Sequence, residues 1–273
     1  RRASGRFYDL FHSPQFAKLW RTQMIDVRQI KEVDQQWVAN FIATHGEHSD
    51  EVLVEIMGRP PKQGVRQFMA PGEVRDAMNR QVYFDQDEPL IMGIDPAPRG
   101  RTVIRWRQGR DARSIPRTVL NGKDNVEIAE EAIRLINKYN PDAVVCDAGM
   151  GTGVIDTLKR RRVKVHEVWF GSASLGDKKY LTRGTELWSL VRTWLPGAAI
   201  DNCEELFRDA TKREWKWAGR EENKIVLESK EDLAARGIPS PDDMDALAVT
   251  FHVNLPRRNR PAMRTGGMAS EKV

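Results

Sequence analysis

Apolar positions along this chain change their period in register with short polar breaks. Between Asp34 and Ile42 they recur at helical spacing among Gln and Asn, one of several helix-like segments before about residue 60. Val52, Val54 and Ile56 then alternate and stop at Gly58, Pro60 and Pro61, which reads as a strand leading into a linker. From Leu90 the pattern becomes short apolar runs separated by amphipathic stretches. Leu90–Asp95, Thr102–Trp106 and Ser114–Leu120 read as three strands in a meander, with Pro116 pointing to an edge position. Asp124–Tyr139 reads as a helix with Ile128, Ala132, Leu135 and Ile136 on one face. Pro141 leads into a strand over 143–147, then come a helix over Gly153–Arg160 and a strand over Val163–Phe170. Trp215 and Trp217 alternate before a turn at 219–223 and Lys224–Leu227, the pattern of a hairpin.

That order of elements predicts an α/β fold of ribonuclease H-like type: a mixed five-stranded sheet flanked by helices, in which the first strand lies beside the fourth. The expected division is a helical segment over 1–60, a linker over 61–88, the α/β domain over 89–255 and a basic disordered tail over 256–273, rich in Pro, Arg, Gly and Ser.

With 273 residues, 40% of them hydrophobic, the chain can bury a sizeable core. No run approaches the roughly 20 apolar residues of a membrane span, and mean hydropathy is −0.58, so a soluble protein without a membrane partner is expected. The Arg1-Arg2-Ala3-Ser4-Gly5 start is not a secretion signal and suggests a piece of a longer chain. Two cysteines, Cys146 and Cys203, suggest neither a disulfide framework nor a zinc cluster and suit a reducing cytoplasm. Lys and Arg exceed Asp and Glu by 44 to 39, and this mild excess, concentrated in 159–164 and 256–260, is compatible with a polyanionic partner.

Acids stand where such a chain rarely puts them. Asp95 and Asp147 each end a buried strand, and Asp245 opens the apolar stretch Ala246-Leu247-Ala248-Val249. Asp242 and Asp245, three apart, share one helical face that can point at the strand ends. Converging carboxylates of this kind call for a hard divalent cation, Mg²⁺ or Mn²⁺. Asp243 needs no metal: with Ser240 as N-cap and Pro241 at the first helical position, it would complete a capping box.

Five blocks then carry a resemblance. Ile94-Asp95-Pro96-Ala97, Val145 through Gly151, Thr185-Glu186-Leu187-Trp188, Glu228-Ser229-Lys230, and Ser240 through Ala248 resemble, in the same order, the C-terminal nuclease domain of the large terminase subunit of tailed bacteriophages. The likeness spans about 85–255, and the segment through Pro61 resembles the end of the packaging ATPase half with its linker. The resemblance implies an endonuclease that cuts concatemeric double-stranded viral DNA with two divalent cations, Mg²⁺ or Mn²⁺. It also implies an ATPase domain upstream in the same chain, the small terminase subunit and the portal or procapsid as partners, and the host bacterial cytoplasm as location. Asp95, Asp147, Asp242 and Asp245 match the metal-binding acids, the last pair in a spacing similar to that of RuvC resolvases. Which of Asp242 and Asp245 is the main third ligand stays open. A resolvase on the same fold and a non-catalytic motor or procapsid docking module are the competing readings.

Lys178, Lys179 and Arg183 precede an apolar helix in a loop that the resemblance puts near the active face, and Lys230 lies in a matching block. These four are candidates for DNA contacts, with a solvated charge run as the alternative for the first three and pairing with an aspartate as the alternative for Lys230. Gly171–Lys178 superficially resembles a phosphate-binding loop, but Asp177 stands where the essential Lys belongs. Gly149, Gly151 and Gly153 read as a flexible loop beside the metal site. Trp188 and Trp194 sit at helical spacing among Leu and Val and are expected in the core, and His166 and His252 show no ligand spacing.

Overall fold

A computed structural model of the chain describes residues 10, 21, 23–47, 49–59, 66–82, 85–218 and 223–258. Strand β1 (Leu90–Asp95) has no solvent-facing residue, as befits a strand covered on both faces. It pairs antiparallel with β2 (Arg101–Gln108), Asp95 opposite Val103. On its other side it runs parallel to β5 (Ala143–Asp147), with Ile94 beside Cys146. β5 in turn pairs in parallel with β6 (Val165–Val168). The far edge of β2 carries β4 (Thr118–Asn121) at one end and β3 (Asp111–Ala112) at the other, and β3 pairs with β7 (Ala199–Ile200). Among the described residues the sheet therefore has seven strands rather than the expected five. The extra two, β3 and β7, span two residues each, too short to leave a period in the sequence. The expected strand over 114–120 is displaced to 118–121, past Pro116, whose missing N–H cannot join a ladder.

Alternation along β1 assigns the two faces. Leu90, Met92 and Ile94 pack with Ile128, Ala132 and Leu135 of helix α4 (Asn125–Tyr139) and Val154, Ile155 and Leu158 of α5 (Thr152–Arg160). Ile91 faces the opposite layer, built from α6 (Arg183–Trp194), α7 (Glu204–Lys212) and α9 (Asp242–Val249). Helix α4 starts on a capping box: Asp124 accepts from the Val126 and Glu127 amides, and Glu127 accepts from the Asp124 amide. Trp188 and Trp194 are in the core as expected, and the hairpin forms as β8 (Trp215–Ala218) with β9 (Lys224–Leu227), followed by the short α8 (Lys230–Ala235).

Three expectations change. Glu51–Glu55 belongs to helix α2 (Asp50–Glu55), not to a strand. Ser49 Oγ accepts from Val52 N at 3.2 Å, and Val52 and Ile56, one helical turn apart, are fully buried against Val38 of α1 (Gln35–His45). Within the expected linker, α3 (Pro71–Asn79) packs Val74, Ala77 and Met78, with Phe68 and Met69, into the main core. At the start of the expected tail, Arg257 and Arg258 are tied down by ion pairs to Asp85 and Asp142, while 259–273 lie outside the described residues. No described helix is long and apolar enough to cross a membrane.

Candidate metal centre

Parallel pairing of β1 with β5 sets Asp95 and Asp147 side by side at one end of the sheet. Helix α9 lies directly on β1 because position 93 is Gly: a Cβ there would overlap the Ala246 carbonyl oxygen and meet Thr250 Cγ2 at 2.7 Å. Gly151 likewise lets the turn after β5 close over the Asp147 carbonyl and Pro96. These close approaches bring the first turn of α9 to the strand ends. Asp95, Asp147, Asp242, Arg101, Lys230 and Ser240 then line one cavity of about 370 Å³, together with Pro96, Ala97, Gly149 and Met150.

Asp95 is 4% exposed and Asp147 8%. Burial pushes the Asp95 carboxyl far above its ordinary value; Lys230 opposes the rise, and Asp245, Asp147 and Asp242 add to it. Burial also raises Asp147, against the Gly149 amide that donates to it at 3.1 Å. Asp245 is fully buried. Trp188 Nε1 donates to its Oδ1 at 2.8 Å and Arg213 Nη1 at 3.3 Å, while Lys230 Nζ lies 3.1 Å from Oδ2. Burial alone would lower the Lys230 ammonium, but Asp245 and Asp95 outweigh it and hold the pKa above the ordinary value. Arg101 Nη1 is 3.3 Å from Asp242 Oδ2.

The donor set fits a hard divalent cation. It consists of carboxylate oxygens crowded in a cavity where burial and mutual repulsion drive Asp95 toward its neutral form, a cost that a cation removes. Buried Asp245 Oδ2 makes no aligned hydrogen bond. Among the described residues no three acidic, His or Cys side chains stand ready-placed as ligands. Lys230 is paired with Asp245 and Arg101 with Asp242. Asp95, Asp147, Asp242 and Asp245 are the oxygen donors that could hold such a cation.

Asp243 is not a cap. The helix N-cap is Pro241 and makes no side-chain capping bond. The Asp243 carboxylate is instead buried among Arg101, Arg105 at 2.7 Å and Arg117 at 2.6 Å, and its amide donates to Asp209 at 3.0 Å. Burial would raise its pKa, but the three guanidiniums outweigh that and hold it at about 2.

Of the expected DNA contacts, Arg183 is withdrawn: it is 7% exposed and pairs with Glu186 Oε2 at 2.6 Å. Glu186 also accepts from the amides of Leu175, Gly176 and Asp177 at 2.7–2.9 Å, so the loop that loosely resembled a phosphate cradle wraps this chain's own carboxylate. Lys178 and Lys179 are exposed on that loop and do not line the cavity, whereas Lys230 does. Arg101, Arg213 and the Trp188 indole were not anticipated. Their partners lie 141, 32 and 57 residues away, beyond any local spacing rule.

No protein-family model matches the chain, and no curated protein matches it. Among solved structures, the nuclease domain of the large terminase subunit gp2 of bacterial virus Sf6 superposes with a TM-score of 0.58 at 14% identity, over 68% of this chain and 99% of that one. The fold is that of a terminase nuclease domain, ribonuclease H-like. One point mutant of the same Sf6 domain, solved with calcium and again with manganese and beta-thujaplicinol, superposes in each case with a TM-score of 0.57 at 14% identity and the same coverage.

Proposed function

We propose that this chain carries the metal-dependent endonuclease of a viral DNA-packaging terminase large subunit, hydrolysing phosphodiester bonds in concatemeric double-stranded DNA. The observation that supports it most is the meeting of Asp95 and Asp147, from adjacent parallel strands, with Asp242 of α9 around one cavity, the buried Asp245 standing behind them on Lys230. Two divalent cations, Mg²⁺ or Mn²⁺, would supply Lewis acidity toward the attacking water and the leaving oxygen when bound. Around them the chain's own residues divide the work. Asp95, Asp147 and Asp242 offer oxygen donors at the cavity wall. Asp245, pinned by Trp188 and Arg213, orients Lys230, which balances the negative charge of the acids. Affinity for DNA would rest on phosphate contacts with little base readout, so cutting should be largely independent of sequence and binding sensitive to salt. The same reading brings an ATPase domain upstream in the chain, the small terminase subunit and portal as partners, and the host cytoplasm as the place of action.

Plasmid cleavage tests it. With Mg²⁺ or Mn²⁺ the chain should nick and linearise DNA, EDTA should stop it, and Asp95→Ala should remove it without loss of folding. A folded wild type that binds metal and cuts nothing would favour the docking-module reading instead.

A further inference from the structure

Arg101 is the first residue of β2. With Asp95 paired to Val103, it stands two residues before that partner, at the end of the sheet where Asp95 and Asp147 meet. Its guanidinium divides between two adjacent carboxylates: Nη1 lies 3.3 Å from Asp242, and Nη2 contacts Asp243. Asp243 has two further guanidinium partners. Arg105 and Arg117 also face that carboxylate at 2.7 and 2.6 Å, so the buried acid keeps two cations when Arg101 turns to another partner. The three arginines also differ in what else they face. Arg105 is buried and turns to Asp201 at 2.9 Å, and Arg117 turns to Glu205 at 3.1 Å. Arg101 keeps 28% of its side-chain surface and lines the cavity with Asp95, Asp147 and Lys230.

A fixed, partly exposed guanidinium in a cavity of carboxylates repels divalent cations. Its presence there makes chemical sense if it serves an anion that enters together with them. Guanidinium has five N–H donors in a planar fork matched to phosphate oxygens, and the two ion pairs engage its two terminal nitrogens without exhausting those donors. We propose that Arg101 is a substrate-binding residue of this site, donating to a backbone phosphate of the DNA that lies in the cavity, and that Asp243 serves as its anchor. The assignment rests on the nuclease reading. In exchanging Asp242 for phosphate, Arg101 also leaves that carboxylate free to take a cation. DNA entry and the freeing of Asp242 then become one event.

Arg101→Ala and Arg117→Ala separate this role from a structural one, since both remove one cation from around Asp243 but only Arg101 lines the cavity. Binding of a short duplex is measured by fluorescence anisotropy with Ca²⁺ between about 50 and 200 mM salt, beside plasmid cleavage with Mn²⁺. Arg101→Ala should weaken binding roughly tenfold at low salt and flatten the dependence of log affinity on log salt by about 0.9, the loss of one phosphate contact. Arg117→Ala should keep the wild-type slope even where its thermal midpoint falls, and Arg101→Lys should restore part of the affinity. Equal slopes for wild type, Arg101→Ala and Arg117→Ala would overturn the proposal while leaving the nuclease intact. A wild type that neither binds nor cuts DNA would overturn both.

Discussion

Asp242 and Asp243 are neighbours with opposite roles, and replacing each by Asn should have opposite consequences. Asp243 is fully buried, and its carboxyl is held at about 2 rather than 3.8. The ionised form is therefore favoured in the folded state by about 2–3 kcal/mol. Asn removes that and leaves Arg105, 2% exposed, with Asp201 as its remaining carboxylate. Breaking a buried pair from one side costs about 3–5 kcal/mol, or roughly 6–20 °C in thermal midpoint for a chain of this size. Asp242 makes one 3.3 Å ion pair with a partly exposed Arg101, so Asp242→Asn should cost no more than about 1 kcal/mol. It should instead abolish metal-dependent cutting. Since the folded pKa of Asp243 is depressed, its contribution is fully present above about pH 3.8 and is lost as pH falls through about 2. Asp243→Asn should therefore flatten the acid limb of the stability curve in that window. Thermal and urea unfolding of both variants, with and without Mn²⁺, check this. A midpoint for Asp243→Asn within about 2 °C of wild type, or equal losses for the two, would refute the reasoning.

Three further outcomes follow from the same geometry. Asp95→Asn removes a buried acid whose charged form is disfavoured, so its metal-free midpoint should equal or exceed wild type, while the midpoint rise that Mn²⁺ gives the wild type should shrink or vanish; differential scanning fluorimetry reads both. Glu186→Gln deprives buried Arg183 of its carboxylate and weakens the hold on three loop amides, so trypsin should cut at Lys178 and Lys179 sooner than in wild type, with about 2–3 kcal/mol lost in urea unfolding. Gly93→Ala forces α9 off β1 and should lower both stability, by roughly 1–3 kcal/mol or more, and the cleavage rate.

Continuous apolar runs ending in an acid made β1 and β5 legible, and their parallel pairing followed from element order alone. Alternation misled at Val52 and Val54, where a Ser49 cap and burial of Val52 with Ile56 favour helix over strand. Around Asp243 the local capping rule was satisfied on paper, yet the arginines that claim the carboxylate come from β2 and the stretch before β4, more than a hundred residues earlier. Periodicity carries no information at that range. Arg183 is closer to legible: Glu186 stands three residues on, the spacing of a helical ion pair, and that pair ties the cation within its own helix.

The close fit of α9 on β1 also has a consequence in time. Arg101 and Asp242 are 141 residues apart in the chain, yet they touch across the cavity. On the ribosome the sheet strands emerge well before the helix that completes the ring of acids, and contacts so distant in sequence are the slow ones to form. A nascent chain without α9 has two of the four carboxylates and no Gly93 contact to seat the others. Under the nuclease reading, cutting competence arrives only with the finished fold, and nearby DNA is spared by a half-made chain.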